Sequence, residues 1–157
     1  MKILLLSVGK TSNDYIKDEF LSYSKRLSHY IDFKSLEVAS INNTKNLSTY
    51  ELKRKEGKSI IKILLSNDHV VLLDEKGVNL NSIDFSKKIQ KYMLHSYKRI
   101  VFIIGGPFGF SDELYDLCND KLSLSKMTFS HQMVRLFFIE QIYRAFTIIN
   151  NEKYHHQ

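Results

Sequence analysis

The chain contains one cysteine, Cys118, one proline, Pro107, no tryptophan and six glycines in 157 residues. A lone cysteine excludes an internal disulfide framework and any cysteine-based zinc site, and it fits a reducing compartment. The six histidines show no metal-ligand spacing, so no metal is expected. No apolar run approaches the ~20 residues of a membrane span. The opening Met1–Leu6 run stops at Ser7-Val8-Gly9-Lys10, too short for a secretion signal and without a small-residue cleavage pattern. Repeats, linkers and low-complexity stretches are missing as well. Together these absences predict a cytoplasmic protein with no membrane contact, folded as one domain over residues 1–157.

Hydrophobic residues make up 43% and charged residues 25%, the balance of an ordinary globular protein. The formal net charge is +6. Such an excess points to a polyanionic partner and says nothing about fold. It is unevenly spread: residues 1–110 carry 18 basic and 11 acidic side chains, residues 111–157 carry 5 and 6. A basic RNA-facing surface would therefore draw on the first two-thirds of the chain.

Short apolar runs alternate with helix-spaced segments. Residues 2–8, 69–73 and 100–104 read as strands buried on both faces, residues 33–39 as a looser strand, and 121–124 as a short one. Helices are predicted over 13–30, from a cap at Thr49 to about Leu65, over 82–94, over 111–118 and over 131–149, with a loop at 40–48. The pattern predicts an α/β fold, a mostly parallel sheet with helices on both faces. Ligands in such sheets sit at the carboxyl ends of strands. The turns after Leu73, after Ile104 and after 121–124 are therefore the places to look for chemistry.

Gly105-Gly106-Pro107-Phe108-Gly109 follows the strand at 100–104. It is neither a dinucleotide fingerprint nor a phosphate-binding loop with Gly-Lys-Ser/Thr. It reads either as a tight turn or as a place where backbone approaches a ligand. The last helix has 12 apolar residues among 19, arranged all round, so it should be buried on several sides. One side would meet the sheet and another a second subunit, which predicts a homodimer. Glu140 and Arg144, four apart, can pair on one helix face. Thr128 or Ser130 would cap this helix. The basic segment Lys53, Arg54, Lys55, Lys58, Lys62 reads as a solvated face or as a phosphate-contacting surface. Tyr154, His155 and His156 read as a frayed end or as rings able to stack on a base. Cys118 reads as buried filler, not a nucleophile.

Several of these segments form a set. Leu73-Asp74-Glu75-Lys76-Gly77, Phe102–Gly109, Leu122–Thr128, His131-Gln132, Arg135, Glu140–Ala145 and Tyr154-His155 resemble the small ribosomal RNA large subunit methyltransferases of the trefoil-knot (SPOUT) class. The resemblance covers the whole chain. It implies a C-terminal trefoil knot, a rare exception to the rule against knotted chains. It implies methylation of N3 of a pseudouridine in 23S rRNA, with S-adenosylmethionine as cofactor. Carried over by motif, the cofactor-binding residues are Leu73, Gly105, Leu124, Ser125, Lys126, Met127, Thr128 and Phe129. The candidate catalytic residues for that reaction are His131, Arg144, Tyr154 and His155, in an expected homodimer whose subunits share each site, working on the ribosome. Arg144 would stabilise a uracil anion, His155 would act as general base and Tyr154 would orient the base. Pro107, Ser130 and the terminal His156-Gln157 depart from the family pattern. Two alternatives stay open at this point: a knotted methyltransferase acting at another RNA position, and a ribosome-binding protein that kept the fold without the activity.

Overall fold

The five predicted strand segments become five parallel strands. The computed structural model describes residues 1–95 and 97–156, so Gln157, one of the departures noted at the terminus, lies outside the described residues. The order along the chain is β1 (Lys2–Val8), α1 (Asp14–Leu27), β2 (Asp32–Val38), α2 (Thr49–Ile61), β3 (His69–Asn79), α3 (Ser82–Leu94), β4 (Arg99–Ile104), α4 (Asp112–Leu117), β5 (Asp120–Ser123) and α5 (Met133–Ile149). The sheet order is β2-β1-β4-β3-β5, with every pairing parallel. All five carboxyl ends therefore lie along one edge.

Alternation along each strand divides the core in two. Ile3, Leu5, Val71, Ile100, Phe102 and Ile104 face α1, α3 and α5, and Phe102 packs on Phe138 with ring centroids 4.8 Å apart. Leu4, Leu6, Val70, Leu72, Val101 and Ile103 face Ile60 of α2 and Leu114 of α4. Coverage on both faces explains why β1 and β4 are continuous apolar runs instead of alternating ones.

Two sequence expectations are corrected. Thr49 does not cap α2: Ser48 does, in a capping box in which its hydroxyl accepts from the Glu51 amide while the Glu51 carboxylate accepts from the Ser48 amide. The helix also ends at Ile61, short of Leu65. The strand beginning at His69 does not stop at Leu73 but runs to Asn79, with a register shift against β5 between Leu73 and Val78. Asp74-Glu75-Lys76-Gly77 is thus an irregular, partly exposed stretch of strand.

β5 has only four residues, and its start is pinned. The Asp120 carboxylate accepts from Tyr92 Oη at 2.7 Å and from Lys88 Nζ at 3.1 Å, and it contacts His69 Nε2 at 2.9 Å. These bonds outweigh burial and hold the Asp120 carboxyl below the usual carboxylate range.

Gly77 passes directly over β5. A Cβ there would lie 2.5 Å from the Leu122 amide nitrogen and 2.6 Å from the Lys121 carbonyl carbon, backbone atoms that cannot swing aside. Gly77→Ala is therefore expected to destabilise the fold by about 1–3 kcal/mol, the cost of overpacking. Urea unfolding of the variant beside the wild type measures it; equal midpoints and slopes would mean that the two strands can separate freely here.

Candidate active site

The carboxyl ends of β4 and β5 and the irregular stretch of β3 enclose a cavity of about 750 Å³. The three turns singled out from the sequence line it together. Leu73, Gly105, Leu124, Ser125, Met127, Thr128 and Phe129 are all in the lining, as is His131 at the approach to α5. Lys126, in the same turn, is exposed and outside the lining.

Local chemistry shapes these loops. The Gly109 amide donates to the Gly106 carbonyl at 3.1 Å, closing a four-residue turn with Pro107 at its second position. Pro fits there because its fixed φ suits that place in a turn. Gly109 has φ +82°, a conformation that disfavours other residues. Ser123 Oγ donates to the Ser125 carbonyl at 2.9 Å, and Ser125 Oγ accepts from the Met127 amide at 2.9 Å. Neither Thr128 nor Ser130 caps the last helix as expected: Gln132 stands at its N-cap and makes no side-chain cap bond, while the Ser130 hydroxyl accepts from the Met133 amide at 3.3 Å in the turn just before it. His131 and Gln132 form a turn ahead of the helix proper.

The cavity chemistry suits S-adenosylmethionine. Apolar walls from Leu73, Ile104, Leu122 and Val134 match an adenine ring, while Asp74, Glu75, Asp112 and Lys53 offer charged and polar partners at one side. The Tyr115 hydroxyl donates to the Asp74 carboxylate and keeps it in place.

Arg144, Tyr154 and His155 gather elsewhere. Arg144 Nε donates to Glu140 Oε1 at 3.0 Å, as the i,i+4 spacing predicts. Tyr154 Oη donates to the same oxygen at 3.0 Å, and the guanidinium lies 4.7 Å from the Tyr154 ring centroid. Arg144 NH1 stands 3.3 Å from His155 Nδ1. Burial alone would lower the Arg144 pKa, but the bonds to Glu140 outweigh it and the guanidinium stays charged. Burial and the bonds to Tyr23 and Glu140 push the Tyr154 phenol well above its ordinary value. None of these three residues lines the cavity. Arg144 is eleven residues along α5 from Met133, roughly 16 Å of helix rise. Within one chain, then, His131 stands at the cavity and the other three candidates do not.

A polar path leads back toward the cavity. Gln141 donates to Glu140 at 2.6 Å and accepts from Ser82 Oγ at 2.7 Å. Gln141 also lines a second cavity of about 420 Å³ that shares Leu122, Ser123, Leu124 and Phe129 with the first.

A family profile described as "Predicted SPOUT methyltransferase" matches residues 1–155. The chain belongs to the SPOUT methyltransferase family. Within it, the chain is 52% identical over 157 residues to the ribosomal RNA large subunit methyltransferase H of Parabacteroides distasonis and 52% identical to that of Flavobacterium psychrophilum, each match covering all of both chains. It is therefore a member of the methyltransferase H family. The solved structure of a probable methylase family protein from Haemophilus influenzae superposes with a TM-score of 0.55 at 12% identity, over 97% of this chain and 67% of that one, a likeness of fold.

The sequence reading gave no role to three residues around this SPOUT site. Arg135 is buried and donates to the carbonyls of Val8 at 2.7 Å and Gly9 at 2.9 Å, to Thr11 Oγ1 at 2.7 Å and to Glu37 at 3.1 Å. Gln132 accepts from the Ser12 amide at 3.1 Å and donates to Ser12 Oγ at 2.8 Å. Both tie the start of α5 to the end of β1. Their signal was an arginine on an otherwise buried helix, since such a charge must find partners. The third is Glu56, buried on α2 beneath the glycine turn, where a Cβ on Gly106 would come within 2.6 Å of its carboxylate. Cys118 is partly buried, its thiol pushed up by burial, which agrees with a filler role.

Burial holds the Glu56 carboxyl above the usual carboxylate range. The fold therefore favours its neutral form. That stabilisation is complete below the ordinary carboxylate pKa of about 4 and is lost as pH rises through the raised native value. Glu56→Gln, neutral throughout, is expected to gain stability relative to wild type as pH rises from about 4 to 8. Unfolding free energies measured across that range check it; a constant difference would mean that Glu56 ionises in the fold as freely as in the unfolded chain.

Proposed function

We propose that this SPOUT methyltransferase transfers a methyl group from S-adenosylmethionine to N3 of a pseudouridine in 23S rRNA, on the assembled ribosome, as a cytoplasmic homodimer of one knotted 1–157 domain. The observation that carries this reading is the cavity formed by the three strand ends, in a chain similar over its full length to methyltransferase H proteins. Chain order supports the knot: β3 is flanked by β4 and β5, both later in the sequence, and Gly77 lets β3 lie close against Leu122.

The homodimer follows from the separation of the site. Arg144, well along α5, and Tyr154 and His155, in the arm after it, stand away from the cavity of their own chain, so a partner's cluster is the one to complete it. Phe129 and Phe137, 37% and 39% exposed with centroids 4.9 Å apart, provide an apolar face beside the cavity for such a partner. Among the described residues no helix is long and apolar enough to cross a membrane, and no group of His, Cys, Asp and Glu is arranged to hold a metal.

Leu73, Gly105, Leu124, Ser125, Met127, Thr128 and Phe129 would hold the cofactor, with Lys126 at the rim. When bound, S-adenosylmethionine supplies a methyl group on a positively charged sulfur, already electrophilic. The chain's own residues must then orient the uracil ring, remove the N3 proton and stabilise the anion that results. Arg144 keeps N–H groups beyond those given to Glu140 and His155, and it can direct them at a uracil oxygen. Tyr154, under the Arg144 guanidinium, offers a ring face for orientation. Because arginine only donates, the Arg144 contact makes His155 Nδ1 an acceptor, so the neutral imidazole carries its proton on Nε2. His155 acts as general base only by giving up that contact; held as it is, it donates a hydrogen bond.

Labelled S-adenosylmethionine incubated with free rRNA, separate subunits and whole ribosomes, followed by mapping of the product, tests the reading. Label at N3 of a pseudouridine, strongest on whole ribosomes, is expected. Label at a ribose hydroxyl or in another RNA would replace the reaction assigned here. His155→Ala is expected to slow single-turnover methylation by about 10²-fold or more if it moves the proton; an unchanged rate would remove His155 from the mechanism.

The basic helix α2 is less uniform than its sequence implied. Lys53 turns to the cavity and Arg54 pairs with Glu113 at 3.3 Å. Lys55, Lys58 and Lys62 are exposed and form no ion pair among the described residues. Replacing these three with glutamine is expected to weaken ribosome binding and lower its logarithmic salt slope by about one per lost phosphate contact. Titrations at several salt concentrations measure it; an unchanged slope would turn this face away from RNA.

A further inference from the structure

The last described residues are held down by side chains from the other end of the chain. Asn151 adopts φ +56°, which turns the chain back after α5, and the Glu152 amide donates to the Thr147 carbonyl at 2.9 Å. The Tyr30 hydroxyl, just after α1, lies 2.7 and 2.9 Å from the two Glu152 carboxylate oxygens and shares its proton between them. The Tyr30 ring is itself fixed, stacked on Phe146 and edge-on to Tyr143, each at 6.0 Å. Two residues beyond Glu152, the Tyr154 hydroxyl meets the Tyr23 hydroxyl at 3.1 Å, and its ring stands edge-on to Tyr143 at 4.9 Å.

We propose that Tyr30 and Glu152 form a latch that fixes the C-terminal arm against α5, making Tyr30 a positioning residue for the methyl transfer. The proposal rests on the reading of Tyr154 and His155 as catalytic. Both reach Arg144 from a short arm with few backbone hydrogen bonds, so their geometry depends on where the arm is tied. The hydrogen bond to Glu152 also pushes the Tyr30 phenol up to about 12, so it stays a donor at neutral pH. With the latch open, the arm samples other positions and the competent fraction falls, which lowers turnover in proportion. Neither Tyr30 nor Glu152 lines the cavity, so cofactor affinity should not change.

Lys153 is exposed in the arm, so tryptic release of Tyr154–Gln157 reports its order. Full-length Tyr30→Phe and Glu152→Ala are expected to release the tetrapeptide about five- to tenfold faster than wild type. Both should show a similar fall in kcat at unchanged KM for S-adenosylmethionine. Glu152→Gln keeps an acceptor oxygen and should fall between. The double variant should be no worse than either single one, because both remove the same bond. Release at the wild-type rate in Tyr30→Phe would overturn the latch, and so would additive losses in the double variant. Faster release with unchanged kcat would overturn the positioning role. Release needs no methyl transfer, so a wild type inactive on rRNA would count against the proposed function while the latch is still decided.

Discussion

The buried guanidinium of Arg135 is the contact on which the rest of the site depends. Four acceptors from the end of β1, the following turn and β2 surround a charge that burial alone would make costly. Desolvation lowers the Arg135 pKa, opposed by Glu37, yet arginine stays charged at any physiological pH. Because two of the partners are backbone carbonyls at the end of β1 and the other two are side chains bonded to each other, the first turn of α5 has little freedom to move. His131 and the turn at Leu124–Phe129 hang from that anchored turn, between α5 and the pinned end of β5. The cavity is thus defined by two clamps, Arg135 on one side and Asp120 on the other.

The same arrangement separates the cavity from the cluster of Arg144, Tyr154 and His155, the two halves of the proposed site. One end of α5 borders the cavity; its middle carries Glu140 and Arg144, and the arm adds Tyr154 and His155. A helix is stiff, so the distance between the two groups cannot be closed by side-chain motion. A second copy can close it. The composition of α5, apolar almost all round, is met by the sheet on one side, and the proposed dimer would cover the outward Phe137.

Much of this was legible in the sequence. Strands covered on both faces leave unbroken apolar runs, and β1 and β4 read directly. The three loops followed from the rule that ligands gather at strand ends, and the Glu140–Arg144 pair from helical spacing. What was not legible depends on long-range contact. Asp74-Glu75-Lys76-Gly77 looks like a turn because it is polar, and only Leu122 lying beneath it makes it strand. Thr49 and Ser48 are both acceptable caps by type, with serine the better; the spacing to Glu51, three residues after Ser48, decides between them. Lys53 and Arg54 looked like neighbours in one charged face, but helical rotation sends one to the cavity and the other to Glu113. Nothing local to Tyr30 announces Glu152, 122 residues away.

That long reach has a consequence for how the protein comes into being. Gln132 meets Ser12 across 120 residues, Arg135 meets Val8 across 127, and Tyr154 meets Tyr23 across 131. Contacts so distant in sequence are slow to form, because the intervening chain must be ordered first. The amino-terminal strands and their helices can pair as they emerge during synthesis, and the Asp120 clamp needs nothing beyond β5, but the Arg135 clamp and the Tyr30–Glu152 latch wait for α5 and the arm. The approach to the cavity through His131 and Val134 is therefore fixed late, when α5 docks on the end of β1.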